Sequence, residues 1–423
     1  MKKISPYIIQ HIELEEPVTE LSFPLLHEAG YYCFFWWRDI PLGHLFVDTN
    51  QKPDSHELRK RILTAIHPTI DFYIARQELR SVYRKAFLNA NQPLFEKVMN
   101  NIFSAYLPVS IPEVVDISVI ICTRDRSEDL DLCLQSLFKQ VCRPKEIIVV
   151  DNAPSNDATK KVVARYNHVI YCAEPRPGLS IARNTGVRHA GCPIIAWTDD
   201  DVTVHPLWTY RIWEAFQVPE IVAVTGLVIA AQLDTESQQI FERFWPFNRG
   251  YRDKVFDTVF FEAGLQSGPP VWNIGAGANM AFRKSIFDEL GYFDERLGAG
   301  ASGCNEDSEM WFRILAKGYF IHYTPRAVVF HKHREQMAGL KKQLFSYMKG
   351  FITAALIQQS HYKRANYRRH IFRFLPKYYI HLFMKGFPGY RSRYQTLLTE
   401  LSGVIAGFSY YRKCKKKLPQ TNS

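Results

Sequence analysis

Three consecutive aspartates, Asp199, Asp200 and Asp201, follow the short apolar run of residues 194–198. Adjacent carboxylates repel one another, so packing alone does not favour three of them at the end of a strand. Side chains two residues apart on an extended chain point the same way, which predicts that Asp199 and Asp201 converge on one cation. Oxygen ligands suit Mg²⁺ or Mn²⁺, and Mg²⁺ is commonly held by one or two carboxylates plus substrate phosphates. The pattern therefore predicts a divalent ion that binds a diphosphate.

The elements around the aspartates indicate how they are positioned. Short β-rich runs alternate with helices from residue 117 onward, which predicts a mostly parallel, twisted α/β sheet flanked by helices. The predicted strands are residues 117–122, 146–150, 168–172, 194–198, 221–229 and 327–330. Ligands of such sheets gather at the carboxyl ends of the strands. Polar residues follow four of these strands: 123–125, 151–152, 199–201, and 331 with 333.

Composition describes a globular protein of more than one domain. The 423 residues are 47% hydrophobic and 22% charged, which predicts two or three units with a real core. The eight cysteines form no C-x-x-C pair, so we expect a reducing compartment without disulfides or a zinc knuckle. No apolar run reaches the roughly 18 to 20 residues that span a bilayer. The N-terminus shows no signal-peptide core, and we expect a cytoplasmic protein.

The net charge of +11 is concentrated in the C-terminal part of the chain. Residues 331–423 hold 19 of the 53 lysines and arginines but only two of the 42 acids, leaving 34 basic and 40 acidic residues before them. Three regions are therefore predicted: an N-terminal α+β extension of unknown role at 1–113, a catalytic domain at 114–335, and a basic, aromatic-rich helical region at 336–423.

From residue 117 to about 333 the chain resembles the family 2 glycosyltransferases, which are enzymes of the GT-A fold. The resemblance rests on the order and spacing of several motifs, each weak alone. These are residues 119–126 (Val-Ile-Ile-Cys-Thr-Arg-Asp-Arg), 149–152 (Val-Val-Asp-Asn), 178–186 (Gly-Leu-Ser-Ile-Ala-Arg-Asn-Thr-Gly), the triple aspartate of a DXD type, 277–283 (Gly-Ala-Asn-Met-Ala-Phe-Arg), and Glu306-Asp307 with Arg313.

This resemblance implies a role for each matched residue. The donor nucleotide sugar would contact Thr123, Arg124, Asp125, Asp151, Asn152, Arg183, Asp199 and Asp200. Asp201, Asp199 and His331 would hold Mg²⁺ or Mn²⁺, and Asn279 and Glu306 would contact the acceptor. Asp307 would be the catalytic base that takes the proton of the acceptor hydroxyl, as inverting transfer requires.

Structural explanations compete with several of these roles. Asp151 could form an Asx turn, and Asp307 could stabilise the first turn of its helix, where acids are favoured. Arg183 could be a solvated helix residue. His331 could be a strand-end histidine with an ordinary hydrogen bond, since the spacing to His333 alone does not make a zinc site.

Two other functions remain as alternatives: a sugar nucleotidyltransferase of related fold, and a catalytically inactive protein that binds membranes or nucleic acid. A nucleotidyltransferase should carry a glycine-rich loop after its first strand, whereas residues 123–126 contain no glycine. Residues 298–303 spell G-x-G-x-x-G, yet no strand is predicted before them, and no acidic residue follows from 310 to 334, so a dinucleotide site is rejected. The same glycines could form a lid.

The basic region at 336–423 predicts where the enzyme acts. Its aromatic residues among cations could lie on an anionic membrane, and acceptors of bacterial surface glycans are often lipid-linked. The chain lacks the Q-x-x-R-W motif and membrane helices of polymer-extruding relatives. We therefore expect a single-addition, hexosyltransferase-like enzyme of cell-surface polysaccharide synthesis, peripheral at the inner face of the cytoplasmic membrane. Single-stranded nucleic acid is the weaker alternative partner.

Overall fold

The structure is a computed structural model that describes residues 5–17, 29–48 and 54–417. No helix of these described ranges is long and apolar enough to cross a membrane.

A three-stranded sheet and three helices form the N-terminal region. The strands are β1 (Tyr7–Glu13), β2 (Gly30–Trp37) and β3 (Ile40–Val47), and the helices are α1 (Ser55–Tyr73), α2 (Leu79–Leu88) and α3 (Gln92–Phe103). Strand β2 pairs in parallel with β1 and antiparallel with β3. Residues 74–78 and 89–91 separate the three helices.

A nine-stranded mixed sheet forms the centre of the molecule. Its strands are β4 (Val114–Thr123), β5 (Arg143–Asn152), β6 (Val169–Glu174), β7 (Ile194–Asp199), β8 (Val202–Val204), β9 (Ile221–Ala230), β10 (Lys254–Phe256), β11 (Asn279–Arg283) and β12 (Phe320–His331). They lie in the order β10-β12-β9-β11-β7-β4-β5-β6, with β8 paired to β12. Strands β7, β4, β5 and β6 are parallel, as are β9 and β12, whereas β11 runs antiparallel between the two groups.

Helices cover both faces of this sheet. They are α4 (Ser127–Phe138), α5 (Ala158–Val163), α6 (Leu179–His189), α7 (Trp208–Ala215), α8 (Glu236–Phe244), α9 (Thr258–Gly264), α10 (Ser285–Leu290) and α11 (Glu306–Ala316). Successive side chains of β4 point to opposite faces, so Val119 and Ile121 pack with α4 and α7, while Ile120 packs with α6 and α11. The predicted parallel α/β sheet flanked by helices is confirmed.

All six predicted strands are present, but three further strands carry no clear signal. Strands β8 and β10 are only three residues long, too short for a period-two pattern to emerge, and β11 is the five-residue stretch Asn279–Arg283. Strand β12 begins at Phe320 rather than at 327, because an irregularity between Thr324 and Val328 interrupts its pairing with β9 and its apolar run.

The glycines at 298–303 form a packed turn rather than a free lid. Leu179 donates a backbone hydrogen bond to Ala299, and the Lys349 ammonium donates to the Ala301 carbonyl. A side chain at Gly303 would meet the backbone of Ser346. No strand lies within the described residues 291–305, so the rejection of a dinucleotide site stands.

The C-terminal region is helical. It contains α12 (Met337–His361), α13 (Tyr367–Arg369), α14 (Leu375–Gly386) and α15 (Leu397–Lys417), with one π-helical turn at His370–Phe374. Helices α12 and α15 pack so closely that a side chain at Gly403 would meet the carbonyl of Phe345. The predicted helical C-terminal region is confirmed.

Candidate active site

Neighbouring strand ends bring the first candidate residues into one row. Asp151 of β5 lies opposite Thr123 of β4, and Asp199 of β7 lies opposite Cys122 of β4. Because adjacent strands are about 4.8 Å apart, the backbones of Asp151 and Asp199 are about 10 Å apart along the carboxyl edge. This edge is where ligands of parallel sheets bind.

A cluster of side chains that could hold a metal ion, which we call the metal-ligating cluster, forms where β12 meets the triple aspartate. After Asp199 the chain turns, and β8 returns antiparallel to β12 with Val202 opposite His331. One ligand atom each from Asp199, Asp201 and His331 lies within 4.8 Å of the other two. Burial lowers the pKa of His331 to about 4, so its imidazole is neutral at pH 7, as a ligand must be. Two carboxylates and one imidazole fit a divalent ion such as Mn²⁺.

Asp200 points away from this cluster. The Thr123 hydroxyl donates to its carboxylate at 2.8 Å, and Arg126 donates to it at 2.6 Å. Arg126 also donates to Asp201 at 3.0 Å. The resemblance implied that Thr123 and Asp200 contact the donor, whereas here their polar atoms bond each other beneath the site.

Arg183 is a buried link between the cluster and α11. Its guanidinium donates to Glu306 at 2.5 Å and lies 3.9 Å from Asp199. Burial raises the pKa of Glu306, and the positive charge of the neighbouring Arg183 partly offsets this rise. The second carboxylate oxygen of Glu306 is buried without a hydrogen-bond partner. Arg183 is therefore not a solvated helix residue, and Glu306 is engaged with Arg183 rather than open to an acceptor.

Asp307 faces the same space as Arg183. It occupies the first turn of α11, and its Oδ1 accepts a hydrogen bond from the Ser308 backbone at 2.6 Å. A methyl group on Gly277 would lie 3.1 Å from Asp307 Oδ2 and 2.7 Å from an Arg183 nitrogen. Since Oδ1 satisfies the helix terminus, Oδ2 is the atom that can act on a bound hydroxyl.

Asp151 carries an unsatisfied oxygen at the other end of the row. Its side chain is buried, Tyr171 donates to Oδ2 at 2.9 Å, and Oδ1 has no hydrogen-bond partner. Burial raises the pKa of this carboxyl group, and the side chains of Tyr171 and Thr159 act against the rise. A buried acceptor without a donor fits an N–H group of a bound base.

Of the three remaining candidates for donor contacts, two form hydrogen bonds within the protein and one is exposed. Asn152 donates to the Arg176 carbonyl and accepts from the Gly178 backbone, both at 2.8 Å, so it fixes the loop that begins α6. Asp125 accepts from the backbone and hydroxyl of Ser155. The Arg124 side chain is 55% exposed and extends over the surface.

The expected acceptor contact of Asn279 does not agree with its surroundings. The residue is 1% exposed. Its amide donates to the carbonyls of Leu227 and Ala327, and its oxygen accepts from the Trp208 indole. With both amide protons donated inside the protein, Asn279 ties β11 to β9 and β12 instead of reaching a ligand.

Several residues of the site carried no assigned role in the sequence. Arg126 and Tyr171 hold the candidate carboxylates, and Glu242 of α8 receives a hydrogen bond from His333 at 3.0 Å. The spacing of His331 and His333 was the one available signal, because residues two apart on a strand share a face. Contacts between residues far apart in sequence leave no local pattern.

Comparison with known proteins identifies the domain that carries this site. Residues 118–291 match the family model described as Glycosyl transferase family 2. The chain contains a glycosyltransferase family 2 domain. The predicted family, the GT-A class of fold and the glycosyltransferase class of enzyme are confirmed. Asp307 and His331 lie beyond the matched range, so their roles stay proposals.

The curated relatives of this chain are distant. It is 25% identical over 256 residues to the glycosyltransferase AglE of Haloferax volcanii, covering 59% of this chain and 77% of the relative. It is 25% identical over 188 residues to a glucosyl-dolichyl phosphate glucuronosyltransferase of the same organism, covering 43% of this chain and 57% of that relative. A solved mannosyltransferase from Pyrobaculum calidifontis, in complex with GDP-Man and Mn²⁺, matches with a TM-score of 0.48 and 17% identity, over 82% of this chain and 99% of that one.

Proposed function

We propose that this protein is a metal-dependent, inverting glycosyltransferase. It moves one sugar from a nucleotide-diphosphate donor to a hydroxyl group of a glycan or lipid-linked acceptor, in the synthesis of cell-surface polysaccharides. Residues 114–335 form its catalytic domain. The observation that carries the proposal is the convergence of Asp199, Asp201 and His331 within 4.8 Å at the strand ends, beside the helix that carries Asp307.

The ligand cluster would hold Mn²⁺ or Mg²⁺ through Asp199, Asp201 and His331. When bound, the ion supplies positive charge to the departing diphosphate. Arg183 supports the same purpose, since its buried guanidinium is 3.9 Å from Asp199 and presents fixed positive charge next to the cluster. Fixed charge in a buried site stabilises developing negative charge without reorganisation.

Asp307 takes the proton of the acceptor hydroxyl. Its free Oδ2 lies on the side of Gly277 and Arg183, while Oδ1 is held by the Ser308 backbone. A single carboxylate that acts as a base is what direct displacement with inversion at the sugar requires.

Asp151 binds the base of the donor nucleotide. Its buried Oδ1 without a donor supports this role, and the spacing of about 10 Å to Asp199 leaves room for the ribose between the base and the diphosphate. A base that presents an N–H group, as uracil and guanine do, satisfies the oxygen.

The C-terminal region offers a surface for an anionic membrane, where a lipid-linked acceptor would lie. Four apolar side chains on and beside α14 form what we call the apolar ridge, with exposures of 59% to 75%: Phe372, Ile380, Met384 and Phe387. Exposed cations lie next to them in sequence: Arg373, Lys377 and Lys385. On an anionic leaflet, such apolar side chains would enter the boundary between headgroups and acyl chains, and the flanking cations would contact the headgroups.

Vesicle sedimentation tests the membrane proposal. Wild-type protein should pellet with vesicles rich in phosphatidylglycerol and less with neutral phosphatidylcholine. The double variant Ile380→Asp, Met384→Asp should lose this binding, because two carboxylates oppose both insertion and surface charge. Leu132→Asp is the matched control, since Leu132 is 55% exposed on α4, outside the C-terminal region. Equal binding of the double variant and the control would contradict the ridge as the docking surface.

A donor screen tests the reaction. Release of nucleoside diphosphate from a panel of nucleotide sugars should require Mn²⁺ or Mg²⁺ and should stop with EDTA. NMR of the sugar product with a supplied acceptor should show the inverted anomeric centre. A product retaining the donor's configuration would contradict inversion.

Two substitutions assign the roles within the site. Asp307→Asn should lower transfer by about 10²- to 10⁴-fold, the usual contribution of a general base, while donor binding by calorimetry stays intact. Asp201→Ala should weaken donor binding itself. Asp288→Asn, an exposed carboxylate of α10, is the matched control. Full transfer by Asp307→Asn would refute the base assignment.

The alternatives make different predictions in the same assays. A sugar nucleotidyltransferase would release pyrophosphate from a nucleoside triphosphate and a sugar phosphate. An inactive binding protein would release no nucleotide from any donor with either ion.

A further inference from the structure

A chain of buried polar side chains connects the N-terminal sheet to the metal-ligating cluster. The Tyr32 hydroxyl of β2 donates to Glu242 Oε1 at 2.7 Å, and Glu242 Oε2 lies 3.0 Å from His333 Nε2. His333 Nδ1 lies 3.0 Å from His331 Nδ1, and His331 Nε2 lies 3.4 Å from Asp201 Oδ1. Each of the five residues is at most 7% exposed.

The direction of these hydrogen bonds follows from what each group can donate. A carboxylate has only acceptors, so a neutral His333 that bonds to Glu242 carries its proton on Nε2 and leaves the lone pair of Nδ1 free. His331 must then donate from Nδ1, since two facing ring nitrogens share one proton. The lone pair of His331 Nε2 therefore points toward Asp201, as a metal ligand requires.

Packing leaves the two imidazoles little freedom to choose another arrangement. The ring of Phe241 is 4.7 Å from that of His333, and the ring of Phe247 is 5.3 Å from that of His331, both measured between centroids. Burial raises the pKa of the Tyr32 hydroxyl well above its usual value, so Tyr32 remains a donor to Glu242.

We propose that Tyr32, Glu242 and His333, which we call the orienting chain, fix the tautomer and direction of His331 as a metal ligand. They are positioning residues, and through Tyr32 they give the N-terminal region a part in the metal site. The proposal deepens the proposed function and rests on metal binding by Asp199, Asp201 and His331. Outer partners of this kind commonly change metal affinity by about 10- to 100-fold.

Mn²⁺ binding without substrate tests the orienting chain. Free Mn²⁺ is titrated by its EPR signal against the full-length protein, and pulsed EPR detects the nitrogen-14 coupling of a bound imidazole. His333→Phe fills the same space but gives His331 no acceptor, and should raise the dissociation constant for Mn²⁺ about 10- to 100-fold while weakening or shifting the nitrogen coupling. Tyr32→Phe should raise the constant by less, about threefold.

Tyr83→Phe is the matched control. Tyr83 is fully buried in the N-terminal region, and its hydroxyl donates to a carboxylate, Asp71, at 2.7 Å, the same length as the Tyr32 bond. This variant should keep wild-type Mn²⁺ affinity and nitrogen coupling. If His333→Phe does not fold, the dissociation constants for Mn²⁺ of Tyr32→Phe and Tyr83→Phe are compared instead. Each variant removes one buried hydroxyl, so a difference between them reports the orienting chain.

Two failures can be told apart. If His331→Ala weakens Mn²⁺ binding and abolishes the nitrogen coupling while His333→Phe and Tyr32→Phe match the control, the orienting chain is refuted and the metal site stands. If His331→Ala and Asp201→Ala both bind Mn²⁺ as wild type does, the metal site of the proposed function is itself wrong.

Discussion

Replacing Gly277 with alanine is expected to lower turnover by disturbing Arg183. The added methyl group would lie 2.7 Å from an Arg183 nitrogen and 3.1 Å from Asp307 Oδ2. Ordinary contact begins near 3.5 Å, so the guanidinium must move by about 0.8 Å. It cannot rotate into solvent, because it is buried and bonded to Glu306 at 2.5 Å.

The size of the effect follows from that displacement. A misplacement of about 1 Å can reduce a rate by about 10²-fold, so kcat should fall about 10- to 100-fold. Overpacking should also cost about 1 to 3 kcal/mol of unfolding free energy. The atoms that the methyl group would meet belong to Arg183 and Asp307, so Mn²⁺ affinity should change less than kcat.

The assay is the steady-state release of nucleotide from the donor, with folding checked by circular dichroism. Gly407→Ala is the control, because its methyl group would lie 2.7 Å from Ile352 Cβ, between α12 and α15. That variant should lose stability without losing kcat per folded molecule. Wild-type kcat in a folded Gly277→Ala protein would refute the reasoning.

Two further predictions concern other carboxylates. Asp151→Asn should raise the dissociation constant of the donor nucleotide about tenfold in calorimetry, because a charged acceptor for the base is lost. Burial alone would raise the pKa of Asp253, but hydrogen bonds from His322 and Tyr73 and the charge of Arg326 lower it to about 2. Because the pKa of Asp253 is lower in the folded protein than its unfolded value of 3.8, the ionised carboxylate stabilises the fold above pH 3.8, and this stabilisation is lost as the pH falls through 2. Asp253→Asn should therefore lower the unfolding free energy by about 2 kcal/mol at pH 7. In urea unfolding, the difference in unfolding free energy between wild type and Asp253→Asn should be about 1 kcal/mol smaller at pH 3 than at pH 7.

The sequence predicted the strand ends well because their signal is local. The apolar run before Asp199 and the type of the three residues after it were enough to expect Asp199 and Asp201 on one cation, and these two carboxylates do converge. Alternation along an extended chain is not the reason, because the strand ends at Asp199 and the next two aspartates lie in a turn. That turn directs Asp200 to Thr123 and Arg126 instead. The resemblance alone had given Asp200 a donor contact.

Other parts of the site depend on contacts that no local pattern reveals. Asn279 is engaged by carbonyls 48 and 52 residues away in sequence. Tyr32 bonds to Glu242, which lies 210 residues away in sequence. The hydrophobic stretch around Tyr32 therefore gives no sign in the sequence of this contact. The pairing of β8 with β12, which brings His331 to the aspartates, involves a strand of three residues.

The charge balance of the site implies an order of binding. Four carboxylates, those of residues 199, 200, 201 and 306, lie within 4 Å of three arginines, those of residues 126, 183 and 334, so the cations of this group do not fully compensate its acids. A diphosphate brings further negative charge, and like charges in a buried site repel strongly. A divalent ion bound first by Asp199, Asp201 and His331 would remove this repulsion and would offer the diphosphate an attractive partner. Donor binding should therefore depend on the ion, with the nucleotide alone binding weakly in EDTA.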